Sequence, residues 1–222
     1  MIEVKERLLD VSLYPNELGL IKFNSEEAIN LITEFPKVEF PKDRDSKVED
    51  IDSYPAFVKY FQCKTLSKNR IPNQQEFRDG YLLSNSTNKN IQRLTLNQME
   101  CFRCRLNRVY PSFVRDVVLA LQLNENDLLK EHGVEVSWSV KLDLRGIDIL
   151  LTHQGNYYGL NCYVDTPYAK KYLEEKKLRN PDFENVHYID MKLSTKIKLA
   201  PSDIDIYDDL SMETIKHNLE IS

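Results

Sequence analysis

Apolar residues along this chain keep a helical spacing through the first half and turn to strict alternation in the second. Between Ser25 and Phe35 the residues Ala28, Ile29, Leu31 and Ile32 follow the helical repeat. Ser25 offers an N-cap, Glu26 and Glu27 suit the first turn, and Pro36 stops the helix. Residues 36–53 carry two prolines and alternating charges, which predicts an exposed connector. A helix over 56–64 follows, with Phe57, Tyr60 and Phe61 on its apolar face, and another over 73–83 opens just after Pro72. The polar run SNSTNKN at 84–90 reads as a loop. Residues 95–108 form an Arg-dense helix, and Pro111 opens a second one over 112–122. There Phe113, Val114, Val117, Val118 and Leu121 line one face.

Past Gly133 the period becomes two. Val134, Val136, Trp138, Val140 and Leu142 alternate with Glu135, Ser137, Ser139 and Lys141, which predicts a strand over 134–142. Further strands are predicted at 147–152 and 157–164, joined by the short hairpin loop HQGN with Gly155. A helix at about 168–178, a fourth strand at 186–193 and an acidic tail closing in a helix at 211–219 complete the series. No internal repeat at a period of roughly 20–50 residues is visible. The fold class is therefore α+β: a mixed central sheet with an α-β-β-β-α-β core and an N-terminal helical region. Three segments are expected: an N-terminal helical and basic region at 1–110, the α/β core at 111–200, and an acidic C-terminal segment at 201–222.

Composition adds exclusions. The chain has 222 residues, of which 41% are hydrophobic and 29% charged, so it is neither fibrous nor disordered. No window of about 18 uncharged apolar residues exists, which leaves no membrane span. The start, MIEVKERLLD, lacks an apolar signal region, which points to the cytoplasm and to free thiols at Cys63, Cys101, Cys104 and Cys162. The formal net charge of −5 conceals a division. Residues 61–115 carry 10 basic and 3 acidic side chains, net +7, whereas both flanks are acidic. A local basic face suited to a polyanion is compatible with the acidic total.

The segment Gly146-Ile147-Asp148-Ile149-Leu150-Leu151, set in the order α-β-β-β-α-β, resembles the first catalytic motif of the PD-(D/E)XK, or restriction-endonuclease-like, nuclease superfamily. The resemblance covers roughly residues 112–193. It implies an Asp at the start of the second strand and an E-x-K motif on the third. Here Asn161 and Tyr163 stand at the acidic and lysine positions, on one face of the third strand. The implied chemistry is hydrolysis of nucleic-acid phosphodiesters, DNA foremost, with Mg²⁺ held by carboxylates and a lysine near the attacking water. Asp148 is the principal metal ligand under that resemblance. Asp116 on the preceding helix and Asp165 at the end of the third strand are candidate further ligands, and Asn161 is a neutral oxygen donor. Lys170 or Lys171 on the following helix is the candidate ammonium.

Arg103, Arg105, Arg108 and Arg115 form, with Arg93, the expected phosphate-contacting set, because guanidinium pairs bidentately with phosphate. Cys101-x-x-Cys104 is half of a zinc site with no second half, and reads more simply as apolar filling. His153 falls in the hairpin loop and reads as a surface residue. No Gly-rich phosphate loop is present, which excludes a nucleotide-driven motor. Three function classes stand: a Mg²⁺-dependent endonuclease, a catalytically silent nuclease fold that binds nucleic acid or a protein partner, and a small regulatory or defence-associated interaction protein whose basic block meets an acidic protein partner. Symmetric cleavage of duplex DNA would further call for a homodimer or two successive visits.

Overall fold

The structure is a computed structural model that describes residues 8–49, 53–164, 166, 170, 173–174, 183–193 and 197–221. The chain divides into two compact units. One is helical, Glu26–Val114 with Lys198–Ile204; the other gathers the chain up to Ser25, Arg115–Ile197 and the stretch from Asp205 onward. The sequence places a boundary after residue 110; the units divide after Val114, and the sheet unit also takes in both ends of the chain.

The helical unit is built on aromatic packing. It contains α1 (Ser25–Thr33, whose first residue belongs to the sheet unit), α2 (Phe57–Lys68), α3 (Gln74–Ser84), α4 (Lys89–Gln92) and the first part of α5 (Leu96–Glu125). Asn73 opens α3 with a capping box: its side chain accepts from the Glu76 N–H while Glu76 reaches back to the Asn73 N–H. Phe61, Phe77, Phe102 and Tyr110 are fully buried, and Phe77 lies 5.7 Å from Tyr110 between ring centroids. Gly80 approaches the Tyr60 ring closely: a Cβ there would fall 2.1 Å from the Tyr60 hydroxyl oxygen, so a larger residue would oblige that ring to move. The connector around residues 36–49 is less exposed than its composition implies, because Val48 is fully buried.

One helix replaces the two expected around Pro111, which sits inside α5. Proline lacks the N–H that would bond the carbonyl four residues back, here that of Asn107. The Gln74 side-chain amide donates to that Asn107 carbonyl at 3.0 Å. The acceptor that proline would orphan thus has a donor from α3, and the helix continues.

The sheet unit holds α6 (Asp127–Glu131), β1 (Glu135–Ser137), α7 (Val140–Asp143), β2 (Ile149–His153), β3 (Asn156–Val164) and β4 (Val186–Leu193). The sheet order is β1-β2-β3-β4, antiparallel across the first three strands and parallel between β3 and β4. A parallel neighbour demands a crossover, and Lys170, Leu173 and Glu174 are helical within it. The remainder of the predicted 168–178 helix lies outside the described residues. Gln154 and Gly155, both at positive φ, make the two-residue hairpin turn between β2 and β3. β5 (Ile197–Leu199) and β6 (Ile204–Ile206) pair as a small second sheet that the sequence reading did not contain, and α8 (Asp209–Asn218) closes the chain. The architecture is α+β. Among the described residues no helix is long and apolar enough to cross a membrane.

The predicted 134–142 strand is shorter than its pattern. Val134, Val136, Trp138 and Leu142 are buried as the alternation predicts, but Val140 is half-buried and Ser139, expected on the outer side, is buried. Only Glu135–Ser137 pairs as a strand, however. Ser139 accepts from the Leu142 N–H and so caps α7 instead. The outer edge of β1 is covered by the N-terminal segment, where the Asn16 amide donates to the Val136 carbonyl at 2.7 Å and the Glu17 N–H to that of Trp138 at 3.0 Å.

Candidate metal centre

Three elements bring carboxylates to one place. Asp116 projects from α5, Asp143 ends α7, and Asp148 stands just before β2. One oxygen from each lies within 4.8 Å of the other two. Asp116 is 8% and Asp148 7% exposed, with Asp143 half-buried. Among the described residues this is the one group of three metal-ligating side chains so arranged.

The turn that makes this possible is a Schellman motif. The Ile147 N–H bonds the Leu142 carbonyl and the Gly146 N–H that of Asp143, with Gly146 at φ +93°. A side chain at that position would be strained, so glycine lets the chain reverse there. Leu142 and Ile147 close the motif by packing in one apolar cluster with Leu150. Asp143 and Asp148, on either side of this reversal, therefore meet. Asp148 is held from both directions: its N–H donates to the Leu160 carbonyl at 3.0 Å, and its Oδ2 accepts from the Cys162 N–H at 2.7 Å. The carboxylate thus continues the β2–β3 ladder by one rung.

Asn161 is 2% exposed and donates through Nδ2 to Asp190 Oδ1 at 3.2 Å. The two residues are register partners on β3 and β4, and Tyr163 pairs with Lys192 in the same way. Asp190-x-Lys192 therefore runs beside Asn161-x-Tyr163, a strand's width away, with both β4 residues exposed. Near Asp116, the Tyr207 hydroxyl donates to the Met191 carbonyl at 3.1 Å. Burial first, then Cys162 and Asp116, push its pKa far above the ordinary tyrosine range, so it remains a neutral donor.

Of the candidates named from sequence, Asp116 and Asp148 meet in the trio, and Asn161 adjoins on the next strand. Asp165 and Lys171 lie outside the described residues. Lys170 is exposed and helical, its N–H bonded to the Thr166 carbonyl at 3.0 Å. The arginines take different places. Arg103 is exposed and pairs with Glu100 at 3.3 Å. Arg105 is 3% exposed, donates to the Val48 carbonyl and lies 5.0 Å from the Phe57 ring centroid, so its guanidinium is occupied inside the helical unit. Arg108 donates to Glu49 and to the Asp43 carbonyl. Arg115 is half-buried, next in sequence to Asp116.

Cys104 is buried, and that burial pushes its thiol up from the ordinary value; Cys101 is half-buried and Cys63 exposed. His153 corrects the surface assignment. It is the last residue of β2, 5% exposed, with Nδ1 buried and without a hydrogen-bond partner among the described residues. Two groups escaped the sequence reading. Asp143 was hidden by assigning residues 134–142 to a strand; the signal was Ser139 as an N-cap followed by Gly146 past the helix end. Asp190 and Lys192 carry acid-x-lysine spacing on the fourth strand, one strand beyond the place the resemblance implies for that motif.

The trio's donor set is oxygen only, which suits a hard divalent cation. Oxygens on one Mg²⁺ at about 2.1 Å stand no more than about 4.2 Å apart, so small side-chain shifts would suffice for these carboxylates to close on an ion. Like charges brought this close repel, and a divalent ion among them would offset that repulsion. No protein-family model matches the chain, and no curated protein and no solved structure matches it either.

Proposed function

We propose that this protein is a divalent-metal-dependent phosphodiesterase of the restriction-endonuclease-like type, acting on nucleic acid, with DNA as the first substrate to test and the reducing cytoplasm as its compartment. The convergence of Asp116, Asp143 and Asp148 within 4.8 Å carries this reading. Mg²⁺ or Mn²⁺ bound there would supply charge neutralisation and a lowered pKa for an attacking water. Asp116, Asp143 and Asp148 would hold the ion, and the Cys162 N–H fixes the orientation of Asp148. Asn161, its amide nitrogen turned to Asp190, offers Oδ1 as a neutral acceptor toward the ion or its water. Lys192, in register with Tyr163, is the ammonium proposed to orient the attacking water and meet the phosphate. The amide at position 161 also favours a second reading, a nuclease fold that binds nucleic acid without cutting it.

One experiment separates the two. Plasmid DNA and a structured RNA are incubated with Mg²⁺ or Mn²⁺, for wild type and Asp148→Asn, alongside thermal melts. The expected result is cleavage by wild type that falls at least about 100-fold in the variant. Mg²⁺ at about ten times its Kd adds roughly 1.4 kcal/mol to wild type, or about 3–6 °C in Tm, and nothing to the variant. Cleavage persisting in Asp148→Asn, or an equal Mg²⁺ shift in both proteins, removes the metal-centre assignment. Binding without cleavage selects the silent fold.

A further inference from the structure

Between the N-terminal segment and the turn that follows α7 lies an open groove of about 680 Å³. Ser12, Leu13, Tyr14 and Pro15 line one side, and Lys141, Leu144 and Arg145 the other. Its volume is in the range of small-molecule sites. Tyr14 is half-buried and packs against the apolar cluster of Leu142, Ile147 and Leu150, so its ring is held in place. The Lys141 ammonium donates to the Leu13 carbonyl at 3.2 Å, which ties the two sides together. Lys141, Leu144 and Arg145 are exposed.

The charge of this groove is one-sided. Lys141 and Arg145 are the ionised groups among its lining residues. Asp10, close by in sequence, has its carboxylate engaged by both the N–H and the hydroxyl of Ser12, at 3.0 and 2.6 Å. An aromatic ring, a proline and two leucines supply apolar surface beside two cations. This chemistry suits a nucleotide, with its base on Tyr14 and Leu144 and its phosphate on Arg145 and Lys141. The same short segment serves both places: Asp143 carries one carboxylate of the trio, and the next two residues, Leu144 and Arg145, line the groove.

We infer that this groove binds one nucleotide of a single-stranded nucleic acid whose neighbouring phosphodiester lies at the Asp116–Asp143–Asp148 centre. The inference deepens the proposed activity and rests on it for that placement of the strand. It makes the preferred substrate a strand with an unpaired base near the cut, since a base within a duplex cannot reach the Tyr14 ring.

The test is fluorescence anisotropy of a labelled single strand of about 12 nucleotides, in EDTA, titrated with salt. Wild type is compared with Arg145→Ala, Leu144→Asp and a control, Lys59→Ala, all at exposed positions, with melts to show that each folds. Arg145→Ala is expected to lower the slope of log K against log salt by about 0.7 and to weaken binding at low salt. Leu144→Asp is expected to weaken binding about 5- to 150-fold, the range for losing one stacked base, and Lys59→Ala to leave it unchanged. Wild-type affinity in both groove variants overturns the inference. So does displacement of the strand by poly-glutamate as readily as by unlabelled strand, which would assign the groove to acidic protein. Binding sensitive to Arg145 in a protein that never cleaves leaves the groove standing and removes the hydrolysis. Cleavage with binding indifferent to Arg145 removes the groove alone.

Discussion

In the helical unit Arg105 is 3% exposed, yet a carbonyl accepts from its guanidinium and the rings of Tyr54 and Phe57 lie 5.8 and 5.0 Å from it. In the sheet unit Asp116 and Asp148 are buried to a similar degree, but they face each other and Asp143, all of one sign. Burial of charge is expensive, and the two units meet that cost differently. The helical unit compensates its charge with its own groups, as a structural core must. The sheet unit brings three carboxylates together, each also engaged by other groups, as Asp148 is by the Cys162 N–H, and on the proposed reading a cation completes the arrangement. Substitutions should therefore lower stability in the first unit; on the proposed metal-centre reading, those in the second should alter metal response and cleavage far more than stability.

The largest expected loss is at Arg105. Arg105→Ala removes a charge-assisted hydrogen bond, two ring contacts and buried aliphatic packing, and should cost about 2–4 kcal/mol in chemical denaturation. A variant as stable as wild type would remove the contrast between the units.

Next comes the seam between α3 and α5. Gln74→Leu strips the donor from the Asn107 carbonyl and should cost about 1–3 kcal/mol. Pro111→Ala in that background restores a backbone N–H to the same carbonyl. The double variant should recover part of the loss, and additive effects would show that Gln74 is not what lets the helix run through proline.

The smallest effect concerns pH. Hydrogen bonds from Arg70, at 2.5 and 2.9 Å, hold the Glu76 carboxyl down to about 2, and the Asn73 N–H adds to them. A carboxylate pKa that is lower in the folded state contributes stability above the ordinary carboxylate range and loses it as pH falls from about 5 toward 2. Glu76 is 30% exposed, so solvent screening limits the contribution to about 1–2 kcal/mol. Glu76→Gln should flatten stability over that interval by this amount, and a slope unchanged from wild type would place the acid sensitivity elsewhere.

Much of the fold was legible because it rests on local rules. The helix after Asn73 is marked by its cap, and β4 spans Val186–Leu193 as its alternation predicts. Asp148 was legible from an acid before an apolar run at a strand start, and Asp116 from its place on the preceding helix. Asp143 was not, because Val140 and Leu142 alternate as a strand would while Ser139 and Gly146 bend the same residues into a capped turn. Arg105 misled for the opposite reason: its basic neighbours read as a surface, but the ring of Phe57 and the carbonyl of Val48 arrive from distant positions.

The sequence by itself determined periodicity, caps and breaks, since each depends on a residue and its near neighbours along the backbone. The tertiary structure alone decided whether a helix survives Pro111, whether His153 and Arg105 meet water, and which three carboxylates converge. Those outcomes depend on whether a separate element supplies the missing donor, ring or charge, and that is set by packing across the chain.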